Sequence, residues 1–515
     1  MSSSGLHYTS ARIRTMLPIL RPNKNVCATS KLRGETAKSE DKGLSVLLLW
    51  GTPLLAFLAF SGLSSSWVQV PYDEWRLTQV VILLLLSGFA LFSTLPKKSI
   101  LTPQTHRLLS IGILMTFALI IMTVSQAQYP ERALADAALY TLLLAGIWAQ
   151  AMLMKRAPAL APQIAATLAL LPLLTVIFLP ISIITAVFTH LESVWHQSFS
   201  NIRMLDDALL PCLFLLWQRP AWLAYQPTKT HFFNVALTFA LSAISILYLI
   251  AFWMDGARAG LLTIIMGLGL IGLLRRDQWS SLRLPLFTLV ASGLIYALLV
   301  RLLPADFAVS VMRTDSSQRT LLWQKALDLW QAHPVLGAGG DHFALAKPWL
   351  LNAHPHNLLL QWISEWGFAG LLTLVLFLPI MLNILRHRQT LPAFALAAVA
   401  AVCIDAMVSG VLVYPLSQML GLWSVAWLIS LLPNTHQTST ASNSDKKSIA
   451  SHFQIWQRSF KIVTAWAIVA MLVIHGHDLV CIHCISVDNE NAPRFWQFGR
   501  ALHLEKQHIA PVIDP

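Results

Sequence analysis

Residues 231–253 read HFFNVALTFALSAISILYLIAFW, twenty-three positions without one Asp, Glu, Lys or Arg. A hydrocarbon core about 30 Å thick is crossed by roughly 20 apolar residues in a helix, so this run is long enough to span a bilayer. Working outward, further apolar runs lie near 44–62, 77–95, 108–124, 137–154, 164–189, 208–217, 259–274, 284–303, 368–385, 391–413, 418–432 and 462–482. The run at 208–217 is the weak one: it is short, follows Asp206 and Asp207, and contains Pro211. The chain of 515 residues is 56% hydrophobic and 12% charged, against roughly 25% charged in soluble proteins, with a mean hydropathy of +0.61. A water-soluble fold of this size is excluded. The expected fold is an all-α polytopic membrane protein with about 12–13 transmembrane helices and one large outer loop containing amphipathic helices. Five cysteines are too few and too scattered for a disulfide scaffold.

Charge orients the spans. With the N-terminus in the cytoplasm, the inside segments are the tail 1–43 and the loops 96–107, 155–163, 218–230, 275–283, 386–390 and 433–461. They hold 24 of the 36 basic residues but only five acids, Glu35, Glu40, Asp41, Asp277 and Asp445. The inside carries +19 and everything else −7, which together give the formal +12. Lys and Arg concentrate on the cytoplasmic side of membrane proteins, and the reverse orientation breaks that rule at nearly every short loop. The net charge is thus a topology signal. It is no mark of an anionic partner, and no nucleic acid is implied.

The chain divides accordingly. Residues 1–43 are a basic cytoplasmic tail (Arg12, Arg14, Arg21, Lys24, Lys31, Arg33, Lys38, Lys42) lacking the apolar stretch and cleavage site of a signal peptide. Residues 44–303 hold transmembrane helices 1–9, and 304–367 form the large outer loop. Residues 368–482 hold helices 10–13 with a cytoplasmic linker at 433–461, and 483–515 are a short outer tail. No period of 20–50 residues repeats. Loops much beyond 12–15 residues are uncommon unless functional or disordered, and Trp323, Trp330, Trp349, Trp362 and Trp366 set this one apart from a disordered composition. In 316–332, Leu322, Trp323, Ala326, Leu329 and Trp330 recur at helical spacing. Asp315, Ser316 and Ser317 offer N-caps, and the helix should stop before His333-Pro334, with Gly337, Gly339 and Gly340 in a turn. A second helix is expected after Pro355, entering the membrane through LLLQWISEWGFAGLL.

The densest group of reactive side chains is Asn352-Ala-His354-Pro-His356-Asn357, followed by Glu365 and Gly367. Three readings fit it. The histidines and Asn357 cap the helix that enters the bilayer. Or His354 and His356, with His333, His342 and Asp341 nearby, bind a metal, although Pro355 fixes the backbone between them and no H-E-x-x-H or Cys/His quartet is present. Or a neutral histidine takes a proton from a hydroxyl at the membrane surface. Arg203, Arg258, Arg313 and Arg319 fall on the outer side, where topology asks for no basic residue. Guanidinium forks suit phosphate oxygens; the plain alternative pairs Arg258 with Asp255, and Arg313 or Arg319 with Asp315. Cys481-Ile-His-Cys484, below His475 and His477, suits a local disulfide or interface residues better than a metal. Asp405 is the clearest intramembrane charge.

At the histidine segment the pattern resembles the bacterial O-antigen ligase/polymerase superfamily. The resemblance rests on His356-Asn357, nine residues, Gly367, two residues, Gly370, with SSQRTLLWQKAL, HPVLGAGG and HPHNLLLQWISEWGFAGLL around it. FSNIRMLDDALLP and the Arg-Ala-Gly of GARAG resemble the family's other arginine-bearing segments, the latter departing from the commoner Ser-Arg-Gly at Arg258. It covers 199–370.

The resemblance implies a metal-independent, inverting glycosyltransferase of the periplasmic face, in the bacterial inner membrane, without a cofactor. Its donor would be an undecaprenyl-diphosphate-linked glycan, and its acceptor lipid A-core, another repeat unit, or a protein Ser/Thr. The residue roles it implies are catalysis by His356 and His354, diphosphate binding by Arg258, Arg319 and Arg203, and support from Asn357 and Glu365, with no metal ligand. Trp-rich walls would stack on sugars or anchor in the membrane interface. The short tail 483–515 leans toward an O-antigen ligase, since protein-directed members often carry a soluble domain there. The rival class is a transporter or flippase of a lipid-linked anionic substrate. Against it stand the lack of inverted repeats and the near absence of buried charge.

Overall fold

The computed structural model describes residues 39–63, 71–93, 103–190, 195–196, 199, 201–218, 231–303, 318–346, 352–433, 443–480 and 495–496. Arg313, Asp315, Ser316, Ser317, Trp349, Cys481 and Cys484 lie outside the described residues, as do most of the basic tail and of the C-terminal tail. Every regular element among the described residues is helical. In chain order these are α1 (Ser39–Leu49), α2 (Gly51–Ser61), α3 (Pro71–Phe92), α4 (Pro103–Gln126), α5 (Pro130–Arg156), α6 (Leu160–Leu170), α7 (Leu173–Val176), α8 (Phe178–Thr189) and α9 (Ile202–Trp217). There follow α10 (His231–Met254), α11 (Arg258–Leu274), α12 (Arg283–Leu302), α13 (Arg319–Ala332), α14 (Leu358–Arg386), α15 (Ala393–Asp405), α16 (Pro415–Leu431) and α17 (Asn443–Val480). The described residues from Ser45 onward form the helical bundle.

Nine helical segments among the described residues are long and apolar enough to cross a membrane, and α11, α15 and α16 are shorter apolar helices. The protein is a multi-pass membrane protein. Its outward positions are large and apolar, such as Phe188, Phe232, Phe239, Leu273 and Leu294, as lipid contact requires.

The weak run at 208–217 proves to be the greater part of α9, which starts earlier, at Ile202, and takes in Asp206 and Asp207. Asn201 caps it, its side chain accepting from the Arg203 N–H at 2.9 Å. Every side chain from Met204 to Trp217 is buried. A helix that is apolar all round belongs inside a bundle, and α9 is walled by α6, α15 and α16. It runs antiparallel to α15: Ser409 Oγ, just past α15, donates to Asp207 Oδ1 at 2.7 Å at one end. At the other end the Phe394 N–H donates to Gln218 Oε1 at 3.0 Å.

The segments assigned to one side meet one another. Arg275 donates to the carbonyls of Arg388 and Leu391 at 2.8 and 2.6 Å and pairs with Asp277 at 2.9 Å. These join two loops expected to be cytoplasmic. At the opposite end, which carries the 304–367 segment and is called the loop end below, the first turns of α3, α5, α9, α14 and α16 and the last turn of α15 converge.

The loop is held there by a break in α14. Gly367 lies at φ 51, ψ −128, so the helix is interrupted. Backbone groups released inside a membrane protein must find partners. The turn 335–339 supplies them: Ala338 N–H donates to Ser364 O and Gly339 N–H to Glu365 O, both at 2.9 Å, and Phe368 N–H donates to Val335 O at 2.9 Å. A Cβ on Gly367 would overlap Val335 O, and one on Gly337 would overlap the Glu365 carbonyl. From this turn α13 folds back along α14, burying Leu322 and Ala326 with Phe343. Lys325 is buried too, its ammonium 4.6 Å from the centre of the Phe343 ring; burial pushes its amine down to about 8. Helix α13 ends at His333, as its sequence predicts. Its N-cap position, Gln318, is left-handed and makes no side-chain cap.

Gly367→Ala is expected to lower stability by at least about 1–3 kcal/mol from backbone strain alone, with the overlap on Val335 added. Gly269→Ala in α11, where a Cβ meets nothing within 4 Å, should leave it unchanged. Thermal unfolding of the two variants in detergent compares them directly.

Candidate functional site

Two short segments build the site, and a third helix end completes it. The first is 352–357, the turn before α14. Asn357 is the N-cap of α14: its Oδ1 accepts from the Leu360 N–H at 2.9 Å, and its Nδ2 donates to Met407 O at 3.0 Å. The capping reading thus holds for Asn357. The second segment is 406–414, between α15 and α16. Ala406 O accepts the Leu358 N–H at 2.8 Å, and Gly410 lies where a Cβ would strike both the His354 and Tyr414 rings.

The two histidines have different roles. His354 is buried. Its Nδ1 accepts the His356 N–H at 3.2 Å, which fixes the proton on Nε2, and Nε2 donates to Tyr414 Oη at 3.2 Å. Both ring nitrogens are spent on position. The His356 ring packs against that of His354, tilted by 58° with 4.2 Å between ring centres, and its backbone φ of 52 lies in the left-handed region. Neither of its ring nitrogens has a hydrogen-bond partner among the described residues. Burial pushes its pKa down to about 4, and the charges of Arg319 and Arg203 push the same way. A neutral imidazole with free nitrogens, within electrostatic reach of two guanidinium groups, can accept a proton from an incoming hydroxyl.

The arginines are sorted by the fold. Arg203, at the start of α9, pairs with Asp255, Nη1 to Oδ2 at 3.0 Å. It therefore takes the carboxylate that the sequence suggests for Arg258. Arg319 is the first residue of α13, brought over the histidine segment by the loop's return along α14. Arg258 opens α11 at the same end, three residues beyond Asp255. Asp207 and Asp405 lie within hydrogen-bonding contact of each other and are near enough for Arg319 to act on both. Asp405, singled out as an intramembrane charge, is thereby part of the site's surroundings.

The remaining candidates are fasteners. Glu365 is buried, its Oε1 accepting the Phe343 N–H at 3.0 Å. His342 accepts from the Tyr129 N–H at Nε2 (3.0 Å) and donates Nδ1–H to Gly340 O (2.8 Å); burial lowers its pKa. Asp341 pairs with Arg132 at 3.8 Å. No group of three or more His, Cys, Asp or Glu among the described residues is placed to hold a metal ion. Trp323 donates to Pro355 O at 3.1 Å, Trp366 to Asp136 Oδ2 at 3.2 Å, and Trp362 packs edge-on to Tyr140. Trp362 and Trp366 tie the start of α14 to α5, and Trp323 ties α13 to the histidine segment. His475 bonds to Asp478 at 2.9 Å and stacks on Phe495.

Sequence reading missed Tyr414, Gly410, Ser409 and Arg76. The signal for Arg76 was present, as a basic residue at the outer end of the second apolar run; the others carry no mark outside the fold.

Residues 243–375 match the family model described as O-antigen ligase, while no curated protein and no solved structure matches the chain. The matched segment contains Arg258, Arg319, His354, His356, Asn357, Gly367 and Gly370. Arg76, Arg203, Asp405 and Tyr414 lie outside it.

Glu365→Ala leaves the buried Phe343 N–H unpaired and is expected to cost about 1–3 kcal/mol. Glu365→Gln keeps an acceptor and should cost less, with turnover retained. Unfolding midpoints and product yields for the pair test whether Glu365 supports the loop or takes part in chemistry; loss of turnover in a stable Glu365→Gln would reassign it.

Proposed function

We propose that this protein is an O-antigen ligase; the match of residues 243–375 to the O-antigen ligase family model supports a place in the O-antigen ligase/polymerase superfamily, whose members are glycosyltransferase-like enzymes. It moves a glycan from an undecaprenyl-diphosphate carrier to a hydroxyl of lipid A-core. The observation that carries this reading is His356: neutral, without a partner at either ring nitrogen among the described residues, and under the charges of Arg319 and Arg203. The loop end is the periplasmic face of the inner membrane, the N-terminus is cytoplasmic, and 304–367 is the catalytic loop.

In the proposed reaction the acceptor oxygen attacks the anomeric carbon from the side opposite the diphosphate. His356 removes the hydroxyl proton as the new C–O bond forms. The bond to the carrier breaks, and the diphosphate leaves with the electron pair, so the anomeric centre inverts. Arg319 and Arg203, with Arg258 at the start of α11, stabilise the charge developing on the departing phosphates. His354, held by Tyr414, orients His356. The donor is already activated, so neither nucleotide nor metal enters the scheme.

The depressed pKa has a further use. Burial, reinforced by the charges of Arg319 and Arg203, keeps His356 unprotonated in the free enzyme. A bound diphosphate adds negative charge beside it and raises its basicity at the moment a proton must be accepted.

His356→Ala is expected to reduce product formation at least about 100-fold in purified protein supplied with lipid-linked oligosaccharide and lipid A-core, with EDTA leaving wild-type turnover unchanged. Full turnover by a folded His356→Ala removes the base assignment, and loss of activity in EDTA turns the histidines back into ligands. Exchanging the acceptor for a repeat unit or a protein Ser/Thr in the same assay separates ligase from polymerase and from oligosaccharyltransferase.

The pH dependence supplies a second test. The free enzyme's acid limb in kcat/KM should fall near pH 4, and not at the ordinary histidine value of about 6.5. Arg319→Gln removes a positive charge that opposes protonation, so its residual activity should show that limb moved to higher pH.

A further inference from the structure

We propose that Arg76, in the first turns of α3, is a positioning residue for the reaction's base, acting through Tyr414 and His354 on His356. The inference rests on the reading of His356 given above.

The geometry starts from an expensive group. Arg76 is 1% exposed, and a guanidinium inside a membrane bundle persists only where partners hold it. All five of its N–H donors reach acceptors. Nε donates to Phe495 O at 2.9 Å. Nη1 donates to Gln79 Oε1 and to Gln418 Oε1, the latter at 2.8 Å. Nη2 donates to Tyr72 Oη at 3.0 Å and to Val413 O at 2.7 Å. Three of these contacts converge on the segment around Tyr414. Val413 is its neighbour in the chain. Gln418 lies one turn on, and its Nε2 donates back to Leu412 O at 2.7 Å. The Tyr72 ring meets the Tyr414 ring edge-on, 6.5 Å between centres.

Tyr414 is thus gripped on its backbone and on its ring, and its hydroxyl accepts the His354 Nε2 proton at 3.2 Å. The opposite nitrogen of that ring accepts the backbone N–H of His356. A shift of Tyr414 is therefore passed through one rigid imidazole to the His356 backbone, itself in the left-handed region. None of these five contacts is to His356 or to the arginines assigned to the donor. Loss of Arg76 should therefore alter the placing of the base and spare donor binding.

The test compares Arg76→Lys, Tyr414→Phe and the double variant in the full-length protein, using lipid-linked oligosaccharide and lipid A-core as probes. Lysine keeps the charge but cannot grip five acceptors. Each single variant is expected to lower kcat about 10- to 100-fold through misplacement of the base, with the donor KM unchanged. The double variant should be no worse than Tyr414→Phe alone, because both act along one path. Multiplicative losses, a raised donor KM, or wild-type kcat in Arg76→Lys each overturn the proposal. Should Arg76→Lys not accumulate, Tyr72→Phe takes its place, since it removes the hydroxyl held by Nη2 and keeps the ring against Tyr414. His356→Ala run in parallel separates the two levels. An active His356→Ala defeats the underlying reading, whereas an inactive His356→Ala beside an unaffected Arg76→Lys defeats this inference alone.

Discussion

The loop end depends on the interrupted helix at Gly367. A backbone break inside a bundle exposes carbonyls and an N–H that lipid and apolar side chains cannot satisfy. Here the 335–339 turn pairs with them through Ala338, Gly339 and Val335. The turn must lie flat against the break, which is why Gly337 and Gly367 have no room for a Cβ. Once the turn is seated, α13 has one way to return along α14, and Arg319 arrives over the histidine segment. The other ties follow from the same seating: Thr123 to Leu336 O at 2.7 Å, Tyr129 to His342, and Trp366 to Asp136.

A second constraint fixes the histidines from the opposite side. The 406–414 segment presents Ala406 O and Met407 O to the start of α14, Gly410 to the His354 ring and Tyr414 Oη to its Nε2. The His356 N–H, which can only donate, fixes the tautomer of His354, and the Tyr414 hydroxyl accepts at the other nitrogen. His356 is left with free nitrogens. Two histidines of identical chemistry, two residues apart, are thereby given different surroundings, one ring bonded at both nitrogens and the other at neither among the described residues.

Electrostatics at the site is a balance between like and opposite charges. Arg203 is partly compensated by Asp255, and Asp207 and Asp405 lie within reach of Arg319. The arginines still dominate at His356, where they add to the effect of burial. On the proposed reading, that imbalance is completed by the substrate: a diphosphate supplies the missing negative charge. Binding and activation of the base are then one event.

Much of this was legible in the residues alone. Apolar runs gave a polytopic helical protein, and the density of polar side chains singled out the segment bearing His354, His356 and Asn357. Helical spacing placed α13 and the entry of α14, and the Gly337, Gly339 and Gly340 turn was placed correctly. Hydropathy, charge and capping are summed along the chain, so sequence suffices for them. The start of α9, the break at Gly367, the pairing of Arg203 with Asp255, and the convergence of Arg76, Tyr414 and His354 were decided only in three dimensions. Those depend on polar groups far apart in sequence, with 342 positions between Arg76 and Gln418 and 230 between Asp136 and Trp366. Each is buried where its partner must be another part of the same chain, and only packing determines which part arrives.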